Sequence, residues 1–548
     1  MRTFPCQREH SLPPAEQRRL TLAALLLAVS GLLSRLLAYA RDAVIAWQLG
    51  AGPETDAYHA AFLLPDMLHY FLSGGALSIT FIPLFSKAVL RGHEDRGWRL
   101  FSNVLTTLGG VLVLAVITAW FMAPRIVPLL FPGFDPEQLA LTTRLTRLIL
   151  PGPLLFFAGG LIIATELARQ RFLAAALSPL LYNLCIILGG VLLGPAIGVE
   201  GFSWGVLAGA LAGPVVLPLL MARRHLRYRP RVDTADPDLR RYLHLAFPLM
   251  VGVSLLTVDE WFGRYFGSQY AAGSITWLNN ARRLMLVPVA LVGTAVAQAA
   301  LPFLSHLAAR EEWDRLADQL RGTLRATATL ATVAGGALFL VALPFTVFVY
   351  ERGAFTAEDS RRTAEALSIL SFAVVAWSIQ TVAVRGFYAR EDTWRPMWLG
   401  TAIVVASAPL YAWLGGLAEI RGLALATVIG MGASAVGTLW LYRVRHGTPL
   451  LGTTIRGLLD GAAATGPGMI AGWLAVRLWA ELSSLPAGPT DALLRIVIAA
   501  TAFTPVAVAI LVVRGGAARS ALIGALPRRY RHLLDDSKRR STGEPADE

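Results

Sequence analysis

Residues 20–49 read LTLAALLLAVSGLLSRLLAYARDAVIAWQL, and this stretch decides the fold. An α-helix rises about 1.5 Å per residue, so about 20 apolar residues cross the hydrocarbon of a bilayer. The stretch is long enough, yet Arg35, Arg41 and Asp42 lie within its apolar course. Ala38-Tyr39-Ala40 has the small-residue pattern of a signal cleavage site. Arg35 interrupts the apolar run before that site, and hydrophobicity resumes after Asp42. The stretch therefore reads as a first membrane helix carrying charges, not as a cleaved leader.

The pattern recurs along all 548 residues. Hydrophobic residues make up 55% and charged residues 16%, against about 25% charged in soluble domains. So few charges cannot cover the surface of a soluble protein this large, and the chain reads as an all-α polytopic membrane protein. Apolar runs between polar breaks predict fourteen spans: 20–49, 57–86, 101–123, 139–166, 172–194, 200–222, 242–266, 272–307, 323–349, 361–388, 394–416, 420–442, 457–480 and 491–513. The breaks carry turn chemistry, as in GAGPETD at 50–56 and PGFDPEQ at 132–138. A net charge of +13 on such a chain points to loops facing anionic lipid, not to nucleic acid.

With the N-terminus inside, the loops from even to odd spans face the cytoplasm. They are far richer in arginine than the outward loops, with Arg223, Arg224, Arg227, Arg229, Arg231, Arg240 and Arg241 in one of them. Both termini are thus expected in the cytoplasm, with the chain in a bacterial cytoplasmic membrane. The expected divisions are an N-terminal tail at 1–19, an N-lobe at 20–222, a basic linker at 223–241, a C-lobe at 242–442, two further spans within 457–513, and a cytoplasmic tail at 514–548. That tail reads as a surface helix running into disorder.

The chain also matches itself at an offset of about 220. Pro83 and Ser86 match Pro302 and Ser305, Ala168-Arg169-Gln170 matches Ala389-Arg390-Glu391, and Val199 and Gly201 match Ile420 and Gly422. The offsets run from 219 to 221, and each match falls at the same helix end. Two six-helix repeats follow, inserted with one orientation, with two C-terminal helices outside them.

Ionisable groups in hydrocarbon cost at least about 2.5–3.5 kcal/mol each, so they face a cavity or a partner. Span 1 has Arg35, Arg41 and Asp42; span 2 has Asp56, Asp66 and His69; span 7 has Asp259, Glu260 and Arg264; span 8 has Arg282 and Arg283. These spans are equivalent in the two repeats and are expected to line one basic cavity suited to an anionic substrate, with arginine forks matched to phosphate. Bland readings stand beside this one. Arg41 and Asp42, as neighbours, are expected to point apart and to find separate partners. Arg282 and Arg283 point about 100° apart, so at most one of them faces the cavity squarely, and Arg283 is the one favoured for ligand contact. His69 reads equally as a neutral hydrogen-bonded histidine. Asp42 is either a coupling group or a structural partner, and Asp259 and Glu260 either pair with the span 8 arginines or couple transport to ions.

No Walker A loop, HExxH motif or Cys/His metal cluster is present in the sequence, and the outward loops are short. The expectation is a non-enzyme without metal or cofactor, driven by the membrane potential or an ion gradient.

Seven further segments carry a family resemblance: SRLLAYARD at 34–42, GAGPETDAY at 50–58, LLPDML at 63–68, SGGALSITFIPLFS at 73–86, ARRLMLVP at 281–288, YERGAFT at 350–356 and GFYAREDTWRP at 386–396. Together they resemble the MurJ/MviN family of lipid II flippases, within the multidrug/oligosaccharidyl-lipid/polysaccharide exporter superfamily, from about residue 20 to 510. The resemblance implies movement of undecaprenyl pyrophosphate bearing a disaccharide-pentapeptide from the inner to the outer leaflet. It implies that Arg35, Arg41 and Arg283 hold substrate, that Asp56 lies near an outer gate, and that spans 13 and 14 form a groove for the lipid tail. Arg282 and His69 join the candidate substrate contacts; Asp42, Asp259 and Glu260 are the candidates for gating or coupling.

The family often has a basic residue at His69 and a glutamate at Gly74. These departures keep a second substrate in view, another undecaprenyl-linked oligosaccharide. A drug or cation exporter fits the basic cavity less well. From another class, a non-transporting scaffold would bind cell-wall enzymes through the tail.

Overall fold

The structure is a computed structural model and describes residues 14–73, 80–251, 255–486 and 488–514. Gly74 and the tail from 515 lie outside the described residues, as do residues 1–13. Among the described residues all regular structure is helical. In chain order the α-helices are α1 (Pro14–Leu49), α2 (Pro53–Ala61), α3 (Leu63–Ser73), α4 (Ile82–Leu90), α5 (Glu94–Leu130), α6 (Pro136–Ile149), α7 (Gly152–Ala168), α8 (Leu173–Ile197), α9 (Glu200–Ala210), α10 (Leu217–Ala222) and α11 (Pro237–Val251). There follow α12 (Leu255–Gly267), α13 (Ser274–Val289), α14 (Ala295–Ala309), α15 (Trp313–Leu340), α16 (Ala342–Tyr350), α17 (Ala357–Ala389), α18 (Trp394–His446), α19 (Leu451–Leu482) and α20 (Pro489–Arg514).

Nine helices among the described residues are long and apolar enough to cross a membrane. This is a multi-pass membrane protein. α1 runs unbroken through Ala38–Ala40. α18 has 53 residues, too long for one crossing, and it breaks at Ala418 (φ −143°) and Glu419 (φ 48°). The expected spans 394–416 and 420–442 lie on either side of that break. Proline shapes other spans. It removes a backbone donor and crowds the preceding turn, and π-helical turns occur at such places: Leu211–Val216 contains Pro214, and Ala290–Thr294 follows Pro288.

The described residues group into two compact units. Unit 1 takes the described residues within 14–45, 61–126 and 140–251; unit 2 takes those within 46–60, 127–139 and 255–514. The N-lobe boundary read from the sequence, 20–222, thus differs from the spatial grouping at two segments. Their contacts within unit 2 explain why. The N–H of Ala354 donates to the carbonyl of Trp47 (2.9 Å), and the Gln138 amide donates to the carbonyl of Pro53 (3.0 Å). Gly133 packs so closely that a Cβ there would lie 2.6 Å from the Cα of Gln269.

Unit 1 centres on buried Phe81, Phe85, Trp98 and Phe101, stacked edge to face. Helices α8 and α9 approach through small residues, and a Cβ on Gly205 would lie 2.7 Å from the carbonyl oxygen of Cys185. Such close backbone packing takes the place of a hydrophobic driving force in lipid. Unit 2 centres on Trp277, Tyr350, Phe355 and Tyr411, all buried. Large apolar side chains such as Leu32, Leu114 and Leu192 are exposed, as a lipid-facing surface requires.

The internal repeat is visible in the backbone. Gly92 (φ 73°), Gln170 (φ 60°) and Gly198 (φ 60°) of unit 1 are left-handed, as are Glu311 (φ 59°), Glu391 (φ 58°) and Glu419 (φ 48°) of unit 2. The offsets are 219, 221 and 221. Left-handed backbone costs a non-glycine residue strain, so its recurrence at three equivalent helix ends marks one inherited design. The equivalent arginines both stack on tryptophan, Arg169 at 5.3 Å over the Trp98 ring and Arg390 at 4.5 Å over Trp313, although the two tryptophans lie one helical turn out of register with the repeat.

The segments 87–100 and 223–241, both read as inward loops, meet within unit 1. Arg96 grips Asp238 through two hydrogen bonds (2.6 and 2.8 Å), and Arg227 pairs with Asp95 (2.9 Å). Asn103 and the backbone of Asp233 exchange hydrogen bonds of 2.8 and 3.0 Å.

Candidate functional site

In unit 1 the candidates lie on α1 and α3. Arg41 does not point away from Asp42. Its guanidinium folds back onto the Asp42 carboxylate at 2.8 and 3.0 Å and also donates to Asn183 Oδ1 at 3.0 Å. The expectation of separate partners is thereby corrected: adjacent residues diverge by about 100° on a helix, but the long arginine stem spans that angle. Asp42 is buried, so the pair is a neutralised unit that ties α1 to α8. The Ser30 hydroxyl donates to the carbonyl of Ala176 and makes a second such tie.

Arg35 lies off that face and is exposed. It forms no ion pair among the described residues. His69 on α3 is exposed and meets the ring of Phe156 edge to face at 5.8 Å.

In unit 2, Asp56 is 2% exposed and holds the start of α13. Its carboxylate accepts from the N–H of Gly273 (2.7 Å), the N–H of Thr276 (2.8 Å) and the Thr276 hydroxyl (2.6 Å). A helix N-terminus leaves its first N–H groups without intrahelical partners and carries partial positive charge. Gly273 (φ 96°) offers no side-chain cap, so a carboxylate from α2 supplies one. Asp56 is a helix cap in this structure, with its oxygens committed to α13.

Asp259 on α12 is fully buried. It pairs with Arg282 of α13 at 2.7 Å, accepts from Thr427 Oγ1 at 2.7 Å and accepts from the Tyr411 hydroxyl. Arg282 also donates to the Asp259 carbonyl at 3.1 Å. The network joins α12 and α13 to α18 on both sides of its break. Arg282 is therefore turned inward onto Asp259. Arg283, the next residue, is half-buried. Glu260 pairs with Arg264 at 2.6 Å, and Arg282, Arg283 and His59 also lie near enough to act on its charge.

Several site-building residues escaped the reading of the sequence. Asn183, Tyr411 and Thr427 are polar residues in apolar spans, the one local signal that marks them. Trp277 donates to Asp359 at 2.9 Å, and Asp359 also closes a capping box with Thr356. The YERGAFT segment thus carries Gly353 (φ 59°) and Ala354 against Trp47 and leads into α17. Among the described residues no cluster of His, Cys, Asp and Glu is arranged to hold a metal.

Duplicated helical repeats with ionised groups inside apolar spans define a polytopic membrane protein of the transporter kind. The structure shares its fold with a solved lipid II flippase MurJ in an inward closed conformation, with a TM-score of 0.72 and 21% identity over 88% of this chain and 98% of that one. An inward-facing MATE family transporter of the MOP superfamily aligns at a TM-score of 0.62 and 13% identity, over 78% of this chain and 98% of that one. In sequence, a probable lipid II flippase MurJ of Rhizobium tropici is 29% identical over 423 residues, 75% of this chain and 79% of that protein. Residues 45–483 match the family described as lipid II flippase MurJ, and the chain belongs to that family.

Proposed function

We propose that this protein moves lipid II, the undecaprenyl-pyrophosphate disaccharide-pentapeptide, from the inner to the outer leaflet by alternating access. The family match over residues 45–483 carries the reading. The chemistry of the candidate arginines supports it. A pyrophosphate presents oxygens that arginine forks engage in pairs. Arg35, exposed on α1, and Arg283 on α13 are the groups assigned to it. Arg41 acts with Asp42 as a positioned pair, and Asp56 and the Asp259–Arg282 pair hold α13 so that Arg283 is presented.

On this reading the protein is not an enzyme and consumes no cofactor. The membrane potential, or an ion gradient, drives the return of the empty carrier, at about 2.3 kcal/mol per charge per 100 mV for a charge crossing the whole field. The protein resides in a bacterial cytoplasmic membrane with both termini inside, a placement supported by the meeting of the arginine-rich segments 87–100 and 223–241. Cell-wall enzymes are proposed partners of the tail.

His69, where the family often has a basic residue, is the reason to test a second substrate, another undecaprenyl-linked glycan. Reconstituted vesicles decide between them. Inward-to-outward movement of labelled lipid II, abolished in Arg283→Ala, is the expected result. Equal movement of a glycan lacking the peptide would replace lipid II with the broader substrate. Movement of neither by folded protein would sink the reading.

A further inference from the structure

Unit 1 contains a basic cavity that the flippase reading does not use. Its volume is about 180 Å³. Three helices line it, each with one face. Leu84, Lys87 and Arg91 lie along one stripe of α4 and the turn after it; Arg96 comes from the first turn of α5; Asp238 and Arg241 come from α11. His93 completes the wall.

The charges do not cancel. Asp238 is the one acid on the wall, and Arg96 already holds it through two hydrogen bonds. The first-turn acids of α5 are engaged elsewhere, Glu94 with Arg169 (3.2 Å) and Asp95 with Arg227 (2.9 Å). Among the described residues, Lys87, Arg91 and Arg241 form no ion pair. Arg241 is near enough for its charge to act on Asp238, but that carboxylate is already gripped by Arg96, so the concave space keeps a net positive charge.

The second repeat shows what a neutralised version looks like. At the offset of 219, Lys87, Arg91, His93 and Arg96 correspond to His306, Arg310, Glu312 and Arg315. Glu312 takes both arginines of its own copy, Arg315 at 2.8 Å and Arg310 at 4.0 Å. In the first repeat a histidine stands at that position, and the cations keep their charge for something else.

The cavity also lies where the apolar run read at 57–86 gives way to the polar segment 87–100. Leu84 lines it, and Leu90, on the same helix, is 86% exposed, an arrangement that suits acyl chains beside a charged headgroup. We propose that this cavity binds the phosphate of an anionic phospholipid from the leaflet on that side of the membrane. Basic pockets where helices meet a membrane surface recognise such headgroups by charge.

Full-length protein, freed of lipid in detergent, would be titrated with phosphatidylglycerol and with phosphatidylcholine and followed by native mass spectrometry. Both lipids carry a phosphodiester, so their difference reads net charge. Saturable preference for phosphatidylglycerol is expected. Replacing Lys87, Arg91 and Arg241 by alanine should lower that affinity by roughly five-fold per cation, and Lys87→Ala alone should show one such step. All three side chains are exposed, so their removal leaves the buried aromatic cluster intact. Arg310→Ala with Arg315→Ala should leave the preference unchanged. Equal binding of both lipids, an unaffected triple variant, or equal loss in the Arg310/Arg315 control would overturn the site. Inorganic phosphate supplies the last arm. Saturable phosphate binding by the lipid-free protein, lost in the triple variant, would assign the cavity to a soluble anion and overturn the lipid assignment.

Discussion

Asp56 closes the first turn of α13 through Thr276, a residue 220 positions later in the chain, by accepting both its N–H at 2.8 Å and its hydroxyl at 2.6 Å. Two readings of this aspartate, substrate contact and structural cap, make different demands on its variants. A helix cap is worth about 0.5–2 kcal/mol, and a carboxylate at a helix N-terminus adds favourable charge. Asp56→Ala should therefore lower the thermal unfolding midpoint along with transport, and Asp56→Asn, which keeps one acceptor oxygen, should lose less of both. An Asp56→Ala protein as heat-stable as wild type would remove the capping role.

Arg35 and Arg41 should separate by stability. Arg35 is exposed and unpaired among the described residues, so Arg35→Ala should weaken substrate binding with the unfolding midpoint unchanged. Arg41→Ala removes the ion-pair partner of the buried Asp42 carboxylate, and loss of one partner of a buried pair costs about 3–5 kcal/mol. It should destabilise the protein, and Arg41→Ala with Asp42→Asn should recover part of the loss. Denaturation of the four proteins in one detergent checks this.

The Asp259–Arg282 pair should show strong coupling. Each single alanine variant leaves the other charge buried, so the double variant should be less unstable than the sum of the two. A double-mutant cycle is expected to give an interaction of about 1–3 kcal/mol. Additivity would mean that Tyr411 and Thr427 hold Asp259 without the arginine.

The clasp joining the segments 87–100 and 223–241 should respond to acid. Hydrogen bonds from Arg96 to Asp238 and from Arg231 to Asp233 hold both carboxyls below their ordinary value of 3.8. A depressed folded-state pKa contributes stability that is present above the ordinary carboxylate value and lost as pH falls through the folded one. Pepsin cleavage of 223–241 should therefore begin only below the ordinary carboxylate range, and Arg96→Ala should move its onset to higher pH. An onset unchanged by that substitution would show that the clasp holds by other contacts.

Much was legible in the sequence because it depends on local quantities. Span positions follow from the length of apolar runs, and helix dominates the described parts of all fourteen, interrupted by turns at 62, 150–151 and 341. The repeat was legible as three matched offsets, and the left-handed residues at the same helix ends are its structural form. The candidate charges were legible because ionised groups in hydrocarbon are too costly to be incidental. The partners of those charges were not. Nothing near Asp56 in the chain announces Thr276, and nothing near Asp259 announces Tyr411 or Thr427.

The sequence by itself thus determined that this is a helical membrane protein built from a repeat, and which side chains bring charge into it. Run length, loop composition and periodicity act over a few turns of helix. Only the tertiary structure decided what each charge does: Arg41 bends back to Asp42, Arg282 turns inward to Asp259, and Asp56 caps α13. These pairings depend on distances set by the packing of helices far apart in the chain, and the desolvation that compels them exists only once those helices are packed.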